Sequence, residues 1–175
     1  DLLPASKGLE VAIGSGCFFP QSDTNKNGKW IKILRLSDGA VLQTLDTQAC
    51  VSSSPAVGDI DGDGRIEIVA LVNGGVELGG PGQSRLMAWR AGRSKPLWSM
   101  VPSVAGRNAP LGSSNIQSPI IADLDGNGSA EVVVANGWGL AIVGGVDGKQ
   151  LTCDSRTCKN KLSVHTSDAI LSTPA

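Results

Sequence analysis

The chain has 175 residues, 41% of them hydrophobic and 18% charged, with a formal net charge of -1; this balance belongs to a globular domain with a real core and excludes a disordered segment. Its 15 Lys and Arg are scattered apart from a loose group at Arg85, Arg90, Arg93 and Lys95, which reads as a solvated face, so no nucleic acid is expected as a partner. The longest apolar stretch, 132–146, is broken by Asn136 and by glycines, and is too interrupted for direct insertion into a membrane.

The first strand-like run is "GLEVAIGSG" (8–16). Next come "WIKILRLSDG" (30–39) and "AVLQTLD" (40–46), where apolar residues flank Lys32 and Arg35 and Ser37-Asp38-Gly39 supplies the chemistry of a hairpin turn. Ser54-Pro55 then opens "PAVGDIDGDGRIEIVAL" (55–71), followed by the runs "SRLMAWRAG" (84–92) and "KPLWSMV" (95–101). Ser118-Pro119 opens the same pattern again as "PIIADLDGNGSAEVVVA" (119–135), and Thr173-Pro174 stands where it would begin once more. No window sustains helical periodicity with caps, so very little helix is expected.

Glu10, Glu67 and Glu131 each precede an apolar run and lie roughly sixty residues apart, which is the sign of a repeated unit. One unit contains a strand, a tight acidic loop, a second strand, a variable loop and a final hairpin. Four strands per repeat predict an all-β fold of propeller blades, with a β-sandwich carrying two similar hairpins as the competing arrangement. The units are 1–53, with a degenerate acidic loop, 54–117 and 118–172, each with an intact one, and 173–175 as the start of a further blade. Closed propellers need at least about four blades to protect their strand edges. The chain is therefore expected to be part of a longer polypeptide, or to complete a ring with another one.

The acidic loops carry the chemistry. Asp59, Asp61 and Asp63 hold positions 1, 3 and 5, Gly64 position 6, Arg65 position 7 and Glu67 position 9. Asp123, Asp125, Asn127, Gly128, Ser129 and Glu131 repeat the series. Carboxylates crowded into one turn repel unless a hard cation neutralises them, and Ca2+ accepts six to eight oxygens in flexible geometry, including a main-chain carbonyl such as that of Arg65 or Ser129. An EF-hand would need a bidentate glutamate at position 12, where this chain has Ala70 and Val134. The remaining alternative is a polar turn of Asp and Gly without a metal. By charge count, the 59–67 loop, with four carboxylates, should bind calcium more tightly than 123–131, where Asn127 replaces one.

Cys17, Cys50, Cys153 and Cys158 match no zinc or haem pattern, and paired disulfides in an oxidising compartment are preferred over buried thiols. In an up-and-down blade the ends near residues 16 and 46 share one face, which pairs Cys17 with Cys50 and leaves Cys153 for Cys158. His165 has no nucleophile motif near it, and no G-x-S-x-G, P-loop or G-x-G-x-x-G is present. The tryptophans fall in or beside strand-like runs and read as blade core. Neither catalytic residues nor an organic cofactor site are expected.

The combination of a Ser-Pro strand, D-x-D-x-D-G, an acid at position 9 and an apolar strand resembles the FG-GAP or VCBS repeat and is similar to the repeats of integrin α-subunit propellers. "SDGAVLQTL" and "VDGKQL" also look like the turn of quinoprotein-type blades. The resemblance implies calcium in the loop joining the first two strands of a blade. It further implies an extracellular, cell-surface or periplasmic adhesion, binding or assembly module with a protein or carbohydrate ligand. The alternative it leaves open is the propeller of a secreted enzyme, a polysaccharide lyase or quinone-dependent dehydrogenase.

Overall fold

The apolar runs pair as antiparallel strands, and the most apolar of them, at 67–72 and 85–90, are covered on both sides. The computed structural model describes residues 1–16, 28–51, 53–73, 84–102, 117–135 and 140–152. Those residues form ten strands and no helix. Strands β1 (Glu10–Gly14), β2 (Trp30–Arg35) and β3 (Val41–Asp46) make a first antiparallel sheet in that order. Strands β4 (Ala56–Gly58), β5 (Glu67–Val72), β6 (Arg85–Arg90) and β7 (Trp98–Met100) make the second, up and down. Strands β8 (Ile120–Ala122), β9 (Glu131–Ala135) and β10 (Leu140–Gly144) make the third, where Gln150 adds a single bridge to Val143. The fold is all-β, built of blade-like antiparallel sheets.

The three repeated glutamates each open the strand after the loop: Glu10 opens β1, Glu67 opens β5 and Glu131 opens β9. The hairpin expected at Ser37-Asp38-Gly39 is present between β2 and β3. There Asp38 Oδ1 accepts the Ala40 N–H at 3.1 Å and Gly39 takes a φ of 70°, a left-handed conformation that glycine adopts without strain.

The central strands of the middle sheet, β5 and β6, are buried on both faces, and the alternation of their side chains decides what each face touches. Ile68, Ala70 and Val72 of β5, with Met87 and Trp89 of β6, pack against Ile31, Ile33 and Leu45 of the first sheet, together with Leu2 and Val51. Val69, Leu71, Leu86 and Ala88 point the other way and pack against Val132, Val134, Ala141 and Val143 of the third sheet. Burying a side chain of this size contributes about 1.5–3 kcal/mol, so these two inter-sheet cores hold the blades together. An unbroken apolar strand such as β5 is the pattern that two covered faces require.

The second and third sheets also meet through backbone. Ala130 N donates to Ile60 O at 3.2 Å, Gly145 N donates to Ala130 O at 3.0 Å, and Trp98 Nε1 donates to Gly145 O at 2.7 Å. A Cβ on Gly145 would sit 2.3 Å from Ile60 O and 2.4 Å from Ala130 O. Glycine is needed there for close approach.

Candidate metal centre

Each acidic loop joins the first two strands of its sheet, β4 to β5 and β8 to β9, and the first aspartate organises the turn. Asp59 Oδ1 accepts the N–H groups of Gly62 (2.8 Å) and Asp63 (3.2 Å), while Oδ2 accepts that of Gly64 (2.7 Å). Asp123 does the same for Gly126 (2.8 Å), Asn127 (3.1 Å) and Gly128 (3.0 Å). Side chains at position 5 brace the next residue: Asp63 Oδ1 accepts Arg65 N at 3.0 Å, and Asn127 Oδ1 accepts Ser129 N at 2.8 Å. Gly64 and Gly128 have φ of 81° and 91°, as a sharp turn at position 6 requires.

The glutamate at position 9 closes the loop. Glu67 Oε2 accepts Ile60 N at 3.1 Å and Glu131 Oε2 accepts Leu124 N at 2.9 Å. In the degenerate first unit Glu10 Oε2 accepts Leu2 N at 2.9 Å in the same way, although no acid series precedes it. This closing role, common to all three units, was not visible in a motif read only for metal ligands.

These bonds gather two donor groups. Carboxylate oxygens of Asp59, Asp61 and Glu67 lie within 4.8 Å of one another, as do those of Asp123, Asp125 and Glu131. Either triad could hold a metal ion. The two loops also touch, since Ser129 Oγ lies 3.5 Å from Asp61 O.

Their electrostatics differ. Arg90, at the end of β6, is only 17% exposed and does not belong to a solvated face: its guanidinium reaches Asp61 Oδ2 at 2.5 Å, Asp63 Oδ2 at 2.6 Å and Glu67 Oε1 at 2.9 Å. Burial pushes the Glu67 carboxyl above its ordinary range and the charge of Asp61 adds to this, against the Ile60 N–H and Arg90. At Asp63 burial is outweighed by the Arg65 N–H and the Arg90 guanidinium, so its carboxyl is held below the usual range. Among the described residues no Lys or Arg pairs with Asp123, Asp125 or Glu131. Cys50 is buried after β3, while Cys17, Cys153, Cys158 and His165 lie outside the described residues.

The spacing of loop and strand in the two units is that of a known repeat. Residues 59–134 match the family model of the FG-GAP-like repeat. The match runs from the first ligand position of one acidic loop into β9 beyond the other, so it contains both FG-GAP-like loops. No curated protein matches the chain closely enough to serve as a relative. The FG-GAP-like match and the blade-like sheets point to a propeller-type binding or adhesion module.

Proposed function

We propose that the chain is a calcium-stabilised segment of an extracellular β-propeller that serves adhesion, binding or assembly, offering its loops to a protein or carbohydrate ligand. The observation that carries this reading is the same oxygen-rich loop built twice, at the same place in adjacent sheets, with three carboxylates converging in each. The donor chemistry fits calcium. All the converging groups are hard oxygens without a thiolate or imidazole among them, which suits Ca2+ over zinc or copper. Bound there, calcium would neutralise the crowded carboxylates and lock the turn that the first aspartate already organises.

The test is calcium titration by calorimetry, together with thermal unfolding in calcium and in chelator. Asp125→Ala should lose the heat of the 123–131 loop. At 100 times its Kd one bound ion stabilises by about 2.7 kcal/mol, so chelator should lower the wild-type Tm by roughly 5–10 °C. An Asp125→Ala chain with unchanged calcium uptake and unchanged chelator sensitivity would overturn the metal reading.

The oxidising location is supported by Cys50, which is disulfide-bonded. Its neighbour Val51 donates through N to Ser15 Oγ at 3.3 Å and accepts from Gly16 N at 3.0 Å, which ties the stretch around Cys50 to the end of β1. We assign the pair as Cys17–Cys50, with Cys153–Cys158 as the second. Non-reducing peptide mapping should recover both linked peptides; a Cys17–Cys153 peptide would refute the assignment.

A further inference from the structure

Opposite the opening glutamate of each blade, the antiparallel register places a different residue: Arg35 faces Glu10, Arg90 faces Glu67, and Gly144 faces Glu131. These three positions are equivalent in the fold, yet they meet three different loops. In the first unit the loop has no acid series and Arg35 turns to Asp38 at 2.8 Å. In the second unit Arg90 turns into the loop and binds Asp61, Asp63 and Glu67 together. In the third unit the acids are present and the arginine is missing.

We propose that Arg90 is the resident cation of the 59–67 loop: its guanidinium stands among the carboxylates in place of a metal ion, so this loop is metal-independent and calcium binds in the 123–131 loop. A planar fork with five N–H donors can satisfy several carboxylates at once and is always charged. Three carboxylates so engaged have fewer free lone pairs for a metal, and an entering ion would have to displace the guanidinium and bring a second positive charge against it. Counting carboxylates ranks the 59–67 loop as the tighter site, but the count omits a cation that arrives from another strand. At the 123–131 loop Gly144 brings no side chain, and the carboxylates there keep their capacity for an ion. The second half of this inference rests on the calcium reading above; the first half, about Arg90, does not.

The experiment counts calcium ions bound per chain by calorimetry, with thermal unfolding in calcium and in chelator. The wild-type chain should bind one ion, Asp125→Ala none, and Arg90→Ala two, the second restoring a Tm that the substitution lowers in chelator. Two ions in the wild type, or no gain in Arg90→Ala, would overturn the proposal. A wild type that binds none while Arg90→Ala binds one would support the Arg90 half and refute calcium at 123–131. Should Arg90→Ala remain unfolded even with calcium, the converse variant decides. A Cβ on Gly144 meets the Asp147 carboxylate at 3.3 Å and Lys149 O at 3.8 Å; the second is ordinary contact and the first needs a small shift of the Asp147 side chain to admit Gly144→Arg. Asp147→Asn, made with it, keeps the acceptor for Lys149 N and removes a competing charge. That double variant should lose the single ion and its chelator sensitivity; retention of the ion with wild-type affinity would overturn the proposal.

Discussion

Replacing Glu67 with alanine should lower the free energy of unfolding by about 3 kcal/mol, the largest loss expected from any single acid in the two loops. Glu67 is fully buried, and both of its oxygens are used, one by Ile60 N and the other by Arg90. Truncation strands the Ile60 N–H in a site where Ile60 itself is fully covered; a buried donor left without an acceptor costs about 1–3 kcal/mol. It also removes one of the three partners of Arg90, and breaking a buried pair outright costs about 3–5 kcal/mol. Asp61 and Asp63 remain beside the guanidinium, so only a part of that second cost is incurred and the total stays at about 3 kcal/mol. Glu67→Gln retains an acceptor for Ile60 N and should lose about half as much. Urea unfolding of both variants checks this, and a loss below roughly 0.5 kcal/mol for the alanine variant, the size of an ordinary surface change, would mean that loop closure does not depend on this side chain.

The isolated 175-residue chain should self-associate, because its outermost sheets present faces that the middle sheet keeps covered. Ile60 and Leu124 occupy the same place in their loops, yet Ile60 is 0% exposed under the third sheet and Leu124 is 55% exposed. On the other side Val11 and Ile13 of β1, 39% and 36% exposed, correspond to Ile68 and Ala70 of β5, both 0%. A pocket of about 220 Å³ beside Leu124, lined by Ile142, Leu151, Asp125 and Glu131, opens on the third sheet at the place equivalent to the one where the second sheet receives Ala130. We propose that further blades of the same kind, from the remainder of a longer chain or from another chain, cover both faces. Sedimentation velocity should then show aggregates or oligomers, and Val11→Lys with Leu124→Lys should shift the population toward monomer by placing charge on the two faces. A soluble wild-type monomer that unfolds in one cooperative step would refute the proposal and favour a self-contained arrangement.

Much of this was legible before folding was considered. The alternate acids, with glycine at position 6 and a glutamate at position 9, mark both loops, since a local turn is written in consecutive residues. The same holds for the Asp38-Gly39 hairpin and for the apolar runs that became β5 and β9. Leu2 was less legible. It precedes no acid series, and its N–H bond to Glu10 shows only in space that the first unit has the loop closure without the acids.

By itself, then, the sequence determined an all-β repeat with two oxygen-rich loops between successive strands, because turn chemistry and side-chain alternation act over a few residues and leave a readable period. Only the tertiary structure decided that an arginine from another strand stands in one of the loops. Arg90 lies 23 residues beyond Glu67 and reaches it through the pairing of β5 with β6, whereas the same register brings Gly144 to Glu131. Coulomb attraction depends on distance in space and not on separation along the chain, so strand pairing, which sets that distance, placed a cation in one loop and, among the described residues, none in the other.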